Sequence, residues 1–164
     1  MFTLAVFLIV FGPMLIEAHR AASNESAQRA RGGIEARGDV YNAMRVVYPV
    51  AFLLMIGEGA LRGGASIAVA TTGLVLFVAA KTLKWWAILT LGEFWTFRVI
   101  VVPRAPLVTN GPYHYMRHPN YVAVIGEFLS VALMTGARFT GPVSIVAFGL
   151  LILRRIAVEE KALG

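Results

Sequence analysis

The sequence predicts an all-α integral membrane protein of about five transmembrane helices. Three observations carry this. Of 164 residues, 58% are hydrophobic and only 15% are charged, whereas soluble domains carry about 25% charged residues. The apolar residues fall in long blocks, each near the length needed to cross hydrocarbon. The net charge of +6 comes from Lys and Arg between those blocks, as in topology signals facing anionic lipid. That placement argues against nucleic acid as a partner. The chain contains no cysteine, which excludes disulfides, thiolate metal sites and a cysteine nucleophile. The length suits a single domain, residues 1–164.

Residues 2–16, FTLAVFLIVFGPMLI, form the first predicted helix, with Pro13 as a point of kinking. No basic residue precedes it, and Ile16-Glu17-Ala18 is a poor cleavage site, so a retained helix is expected rather than a signal peptide. Residues 19–39 are polar and read as a loop, with room for a short helix on the membrane surface. A second span is expected over about 40–57, its Pro49 tolerable in a membrane helix. Glycines at 57, 59, 63 and 64 mark a turn. The third helix starts near Ala65, is apolar to Ala80, and becomes amphipathic through KTLKWWAILTLG, where Trp85 and Trp86 suit the interface. Residues 93–118 hold β-branched runs, three prolines and a Thr-Asn-Gly turn, so extended segments and turns are expected. A fourth span runs over about 119–135 and a fifth from about Val143 into the polar end RRIAVEEKAL.

Charge then orients the chain. Arg20, Arg29, Arg31 and Arg37 lie between spans one and two; Lys84, Arg98, Arg104 and Arg117, with Lys81 at the edge, lie between three and four; Arg154, Arg155 and Lys161 close the chain. The other side has Arg62 and Arg138. Cytoplasmic loops collect Lys and Arg. The N-terminus is therefore expected outside and the C-terminus in the cytoplasm, so that residues 93–118 and RRIAVEEKAL share one face.

Those two polar stretches hold the candidate chemistry. GPYHYMRHPNY, residues 111–121, sets two histidines, an arginine and three tyrosines at a helix start. Gly111-Pro112 permits a tight turn. Arg117 offers a planar fork for a carboxylate or phosphate. His118 is biased to extended backbone by Pro119, which is well placed to begin the helix. The stretch reads either as a pocket for a charged, ring-containing small molecule or as an interfacial aromatic belt. In the second stretch Arg155 and Glu159 are four apart and share a helical face. They read either as a solvated helix end or, with Glu160, as the cap of a pocket built with Arg117 and His118. No metal is expected, because His19 is far from His114 and His118 and no zinc-type pattern occurs.

LVTNGPYHYMRHPNY (107–121) followed by RIAVEEKAL (155–163), with LGEFWT (91–96) upstream, resembles the signature of the isoprenylcysteine carboxyl methyltransferase family. The signature region spans 91–163. The resemblance implies an integral membrane methyltransferase using S-adenosylmethionine. Its cofactor pocket is implied at the cytoplasmic side, between the loop before helix four and the C-terminal helix, with a lipophilic acceptor arriving from the bilayer. Carried over, Leu107, Val108, Gly111 and Tyr113 would line the adenosine pocket, and Arg117, His118, Pro119 and Tyr121 would complete it. Glu159 and Glu160 would hold polar groups of the cofactor or order Arg155. The longer relatives continue past the EEKAL end with a polar tail, so groups from such a tail are expected to be missing here.

Glu127 is a departure, since eukaryotic members carry an aromatic residue there. An ionisable group inside a membrane helix is costly and usually functional. It reads either as a base or hydrogen-bond acceptor at the substrate, or as an interior ion pair with Arg45 or a hydroxyl contact. Segments 24–41 and 86–103 are further similar to a short bacterial branch that includes O-methyltransferases of alkylpyrones and alkylresorcinols. This favours a lipophilic hydroxyl acceptor in a bacterial inner membrane. The alternatives are carboxyl methylation of an isoprenylcysteine, a sterol-reductase-like NADPH enzyme, and a non-catalytic scaffold. Membrane lipid is an expected partner, and a homo-oligomer is compatible with the sequence.

Overall fold

A computed structural model describes residues 1–163; Gly164, where the EEKAL end stops, lies outside them. Among the described residues the chain forms helices α1 (Phe2–Ala30), α2 (Tyr41–Arg62), α3 (Ile67–Leu91), α4 (Pro119–Thr135) and α5 (Thr140–Leu163). Two short strands, β1 (Ile34–Glu35) and β2 (Ile100–Val101), pair antiparallel with Ile34 opposite Val101. Four helices are long and apolar enough to cross a membrane; α4 is shorter. At about 1.5 Å per residue, its 17 residues reach about 26 Å. The chain is an all-α integral membrane protein, and Leu53, Val75, Val78, Val146, Leu150 and Leu153 are among the apolar side chains it turns outward.

α4 sits at the centre, packed on α1, α2, α3 and α5. Its Phe128 stacks on Phe52 of α2 with ring centroids 4.7 Å apart, and Phe148 of α5 lies 5.0 Å from Phe128. α3 approaches α4 closely at Gly73, where a Cβ would fall 2.7 Å from the Met134 backbone nitrogen and 2.8 Å from the Ser130 carbonyl oxygen. A larger residue at 73 would push the two backbones apart. Such small-residue contacts are a common way for membrane helices to pack.

The predicted fourth helix has the observed bounds, and residues 93–118 hold the expected mixture of extended segment and turns. The first helix differs. It was expected to end near Ile16, yet α1 continues to Ala30. The extension has polar side chains because its partners are backbone groups. Asn24 Nδ2 donates to the carbonyls of Gly92 (2.9 Å) and Trp95 (2.8 Å), and Gln28 Nε2 to that of Glu93 (2.9 Å). A Glu25–Arg29 pair at i,i+4 adds local support. The charge tally also needs correction. Lys81 and Lys84 are not loop charges; both lie within α3 and point into the bundle.

The segment after α1 is fastened to β2. Ala36 N donates to the Val99 carbonyl (2.8 Å), and Glu35 pairs with Arg29 (2.7 Å) and Arg98 (2.6 Å). Arg29, and after it Arg98, hold the Glu35 carboxyl below its usual range against the opposing effect of partial burial. A depressed carboxylate pKa contributes stability that is present above the unfolded value, about 4.3, and is lost as pH falls through the folded value. Amide exchange at β1 and β2, corrected for intrinsic rates, is therefore expected to accelerate below about pH 4, and Glu35→Gln to remove that pH step.

Candidate cofactor site

The site forms where the start of α4 meets the end of α5. Residues 111–114 form a 3-10 turn that leads into α4. Gly111 has φ +57°, and a Cβ there would lie 2.6 Å from Thr90 Oγ1, so the loop seats closely on the end of α3. His118 caps α4 with a non-helical backbone and Pro119 takes the first helical position, as the sequence implies. One turn into α4 comes Tyr121, whose hydroxyl accepts from Arg155 Nε (2.8 Å) and donates to Glu159 Oε1. Arg155 Nε also approaches Glu159 Oε1 at 3.1 Å. The His118 ring stacks on Tyr121 with centroids 5.6 Å apart, and its Nδ1 is 3.6 Å from Glu159 Oε2. Burial, and after it the Glu159 carboxylate, push the Tyr113 hydroxyl well above its ordinary pKa, so it stays a proton donor.

Two separated sequence clusters thus meet, as expected. His118, Tyr121, Arg155 and Glu159 form the tight centre. Arg117 and Glu160 make a 3.5 Å pair at the rim, with Arg117 largely exposed. Tyr113 is half-buried beside them, Pro119 is buried, Leu107 is exposed and Val108 is half-buried on the approach to the loop. Arg154 points outward.

Sequence reasoning missed Asp39. It lies just before α2 with its side chain 3% exposed, and its Oδ1 is 3.4 Å from Arg155 NH1. The centre therefore holds two carboxylates, Asp39 and Glu159, against one guanidinium. It carries surplus negative charge beside flat aromatic faces, and Glu159 remains partly open. This donor set fits a ligand with a cationic centre and a ring. Asn120 Oδ1, in the first turn of α4, is a buried acceptor without a partner.

Glu127 stands apart from this centre. It is six residues beyond Tyr121, about 9 Å along the helix. It is fully buried and its partner is not Arg45, which faces outward from α2. Instead Lys81 lies 2.7 Å from one Glu127 oxygen and Lys84 3.2 Å from the other. Glu17 of α1 closes the ring, 2.8 Å from Lys81 and 2.7 Å from Lys84. Tyr48 of α2 donates its hydroxyl to Glu127 and accepts from Lys84 Nζ at 3.2 Å. Two acids and two bases balance here, so each buried charge has an opposite partner. A pair of lysines three apart in an apolar helix, with two isolated glutamates in other apolar helices, was the readable signal.

Comparison with known proteins places the sequence in a family. Residues 73–164 match the isoprenylcysteine carboxyl methyltransferase (ICMT) family. The chain is 31% identical over 143 residues to the uncharacterized protein YpbQ of Bacillus subtilis, covering 87% of this chain and 85% of that protein. It is 33% identical over 102 residues to protein-S-isoprenylcysteine O-methyltransferase A of Arabidopsis thaliana, covering 58% of this chain and 50% of the plant protein. No solved structure matches it. With this match over more than half its length and apolar helices long enough to cross a membrane, the chain belongs to the isoprenylcysteine carboxyl methyltransferase family and is a membrane methyltransferase.

Proposed function

We propose that the chain, as one domain, is an S-adenosylmethionine-dependent O-methyltransferase for a lipophilic acceptor with an acidic ring hydroxyl, of the alkylpyrone or alkylresorcinol kind. The observation that carries the reading is the surplus carboxylate charge beside Tyr121 and His118 in a chain of this family. S-adenosylmethionine would supply an electrophilic methyl group on a sulfonium. The residues present suit it: the partly open Glu159 offsets its positive charge, His118, Tyr113 and Tyr121 offer ring faces, and Arg117 offers a fork for its carboxylate. What the protein adds is alignment and exclusion of water, which supply much of the effect in such transfers. A hydroxypyrone enol is acidic enough to arrive ionised and needs little general-base help, whereas a resorcinol phenol, with a pKa near tyrosine's, about 10, must give up its proton to a base during transfer. Glu127 is then free to remain in its ion-pair ring, with proton acceptance from a less acidic acceptor as its catalytic part.

The acceptor's tail has a place to lie. Ile9 and Pro13 of α1 and Phe77, Val78 and Trp86 of α3 line an open apolar groove of about 830 Å³. Trp86 at its end sits 6.4 Å from the Tyr115 ring of the signature loop. The names of the plant relatives favour a second reading, carboxyl methylation of a prenylated cysteine. In either case we place the site in the cytoplasm, at an inner membrane. Arg31, Arg98, Arg117 and Arg154 lie at that end of the bundle, and Arg62 and Arg138 at the other.

The test is transfer of labelled methyl from S-adenosylmethionine by the detergent-purified protein. A long-tailed alkylpyrone, an alkylresorcinol and a farnesylated cysteine are offered separately. Label on the ring hydroxyl is expected. Label on the farnesylcysteine carboxyl alone would give the second reading, and saturable binding without any transfer would put the acceptor class in error.

A further inference from the structure

We propose that Asp39 is a positioning residue for the cofactor site, acting through Arg155. The inference rests on the S-adenosylmethionine reading above. Asp39 lies in the N-terminal part of the chain, outside residues 73–164 that carry the family match. Its carboxylate joins three pieces. Oδ1 accepts from Tyr41 N (3.0 Å), in the first turn of α2, and from Arg155 NH1 (3.4 Å) of α5; Oδ2 accepts from Val99 N (2.8 Å), beside β2. Arg155 is itself buried and spends its Nε on Tyr121 and Glu159. NH1 therefore faces Asp39 while Nε faces the cofactor-side groups. A planar guanidinium held at one edge has its other edge fixed, since the fork is rigid. Asp39 thereby sets where Tyr121 and Glu159 stand.

The segment carrying Asp39 has fastenings of its own. The β1–β2 pairing, the Ala36–Val99 hydrogen bond and the Glu35 pairs with Arg29 and Arg98 hold it against residues 98–101. Holding the loop is thus not the sole work of Asp39. Its distinctive contact is the charge it sets against Arg155. Asn at this position keeps an oxygen for a backbone N–H and removes that charge.

The experiment compares Asp39→Asn, Arg155→Gln and the double variant. Calorimetry with S-adenosylmethionine is combined with steady-state methyl transfer on the acceptor that the wild type uses. Asp39→Asn is expected to raise Kd and KM for S-adenosylmethionine on the order of tenfold, the scale of one charge-assisted hydrogen bond. The KM for the acceptor and kcat at saturating cofactor should stay within about twofold of wild type. Adding Asp39→Asn to Arg155→Gln should weaken binding no further, because Asp39 acts through that side chain. A fall in kcat with both KM values unchanged would mark a purely structural role and overturn the proposal. So would a second full loss in the double variant. If Asp39→Asn does not fold, Asp39→Glu takes its place. It keeps the charge but displaces it by one methylene, and wild-type cofactor affinity in that variant would also overturn the proposal. Unchanged binding in Arg155→Gln would instead remove the cofactor reading itself. Weakened binding in Arg155→Gln with none in a folded Asp39→Asn would remove the role of Asp39 alone.

Discussion

Arg155→Gln is expected to weaken S-adenosylmethionine binding by about 10- to 100-fold. The side chain is buried, donates to Tyr121 at 2.8 Å, and stands between the carboxylates of Asp39 and Glu159. Removing it leaves two like charges facing each other with nothing between them. A hydrogen bond to a charged group contributes about 1.5–3 kcal/mol, and each 1.4 kcal/mol is about tenfold in affinity. Glu159→Gln should also weaken binding, because it removes the site's open negative charge while leaving an oxygen to accept from the Tyr121 hydroxyl. Calorimetry on folded, detergent-purified variants checks both. Wild-type affinity in Arg155→Gln would show that the cofactor binds elsewhere.

The second large effect concerns stability. Glu127→Leu leaves Lys81 and Lys84 with Glu17 alone, and one ammonium of the ring is uncompensated inside the bundle. Breaking a buried pair from one side costs about 3–5 kcal/mol, whereas replacing both partners by apolar groups is often neutral. Glu127→Leu should therefore lower Tm sharply, and adding Lys84→Met should recover most of the loss. Thermal unfolding in one detergent gives the comparison, and a wild-type Tm for Glu127→Leu would show that the ring does not stabilise the fold. The double variant also reports on chemistry. If it is stable and still methylates, Glu127 is not a required base. If it is stable and inactive towards a weakly acidic hydroxyl but active towards an acidic one, the Glu127–Lys84 pair takes part in removing the proton.

Legibility in the sequence followed the range of the interactions. α4 was readable because its start is written locally, in His118-Pro119, and its end in Gly136. The joining of residues 111–121 to 154–163 was readable because charge places both on one face. The extension of α1 was not, since Asn24 and Gln28 look like loop residues until the carbonyls at 92–95 are set against them. Asp39 was hidden for the same reason: its partner is 116 residues away. Lys81 and Lys84 were misplaced because hydropathy treats any charge as the edge of a span. Pairing inside the membrane defeats that rule, and the same blindness offered Arg45 as the partner of Glu127.

The ring of Glu17, Lys81, Lys84 and Glu127 also bears on how the protein is made. As the chain is synthesised, α1 brings a lone carboxylate into the membrane, and the lysines that neutralise it are 64 residues or more behind. When α3 is in place, the three-helix intermediate has the opposite imbalance, two ammonium groups against one acid. It becomes neutral inside only when α4 arrives with Glu127. α4 is also the shortest of the five helices and the one the others surround. Its insertion is thus driven by the unpaired lysine waiting for it as well as by its own apolar surface. A nascent chain that stops before α4 is left with one more ammonium group than carboxylates among these ring residues, a charge imbalance that the finished bundle lacks.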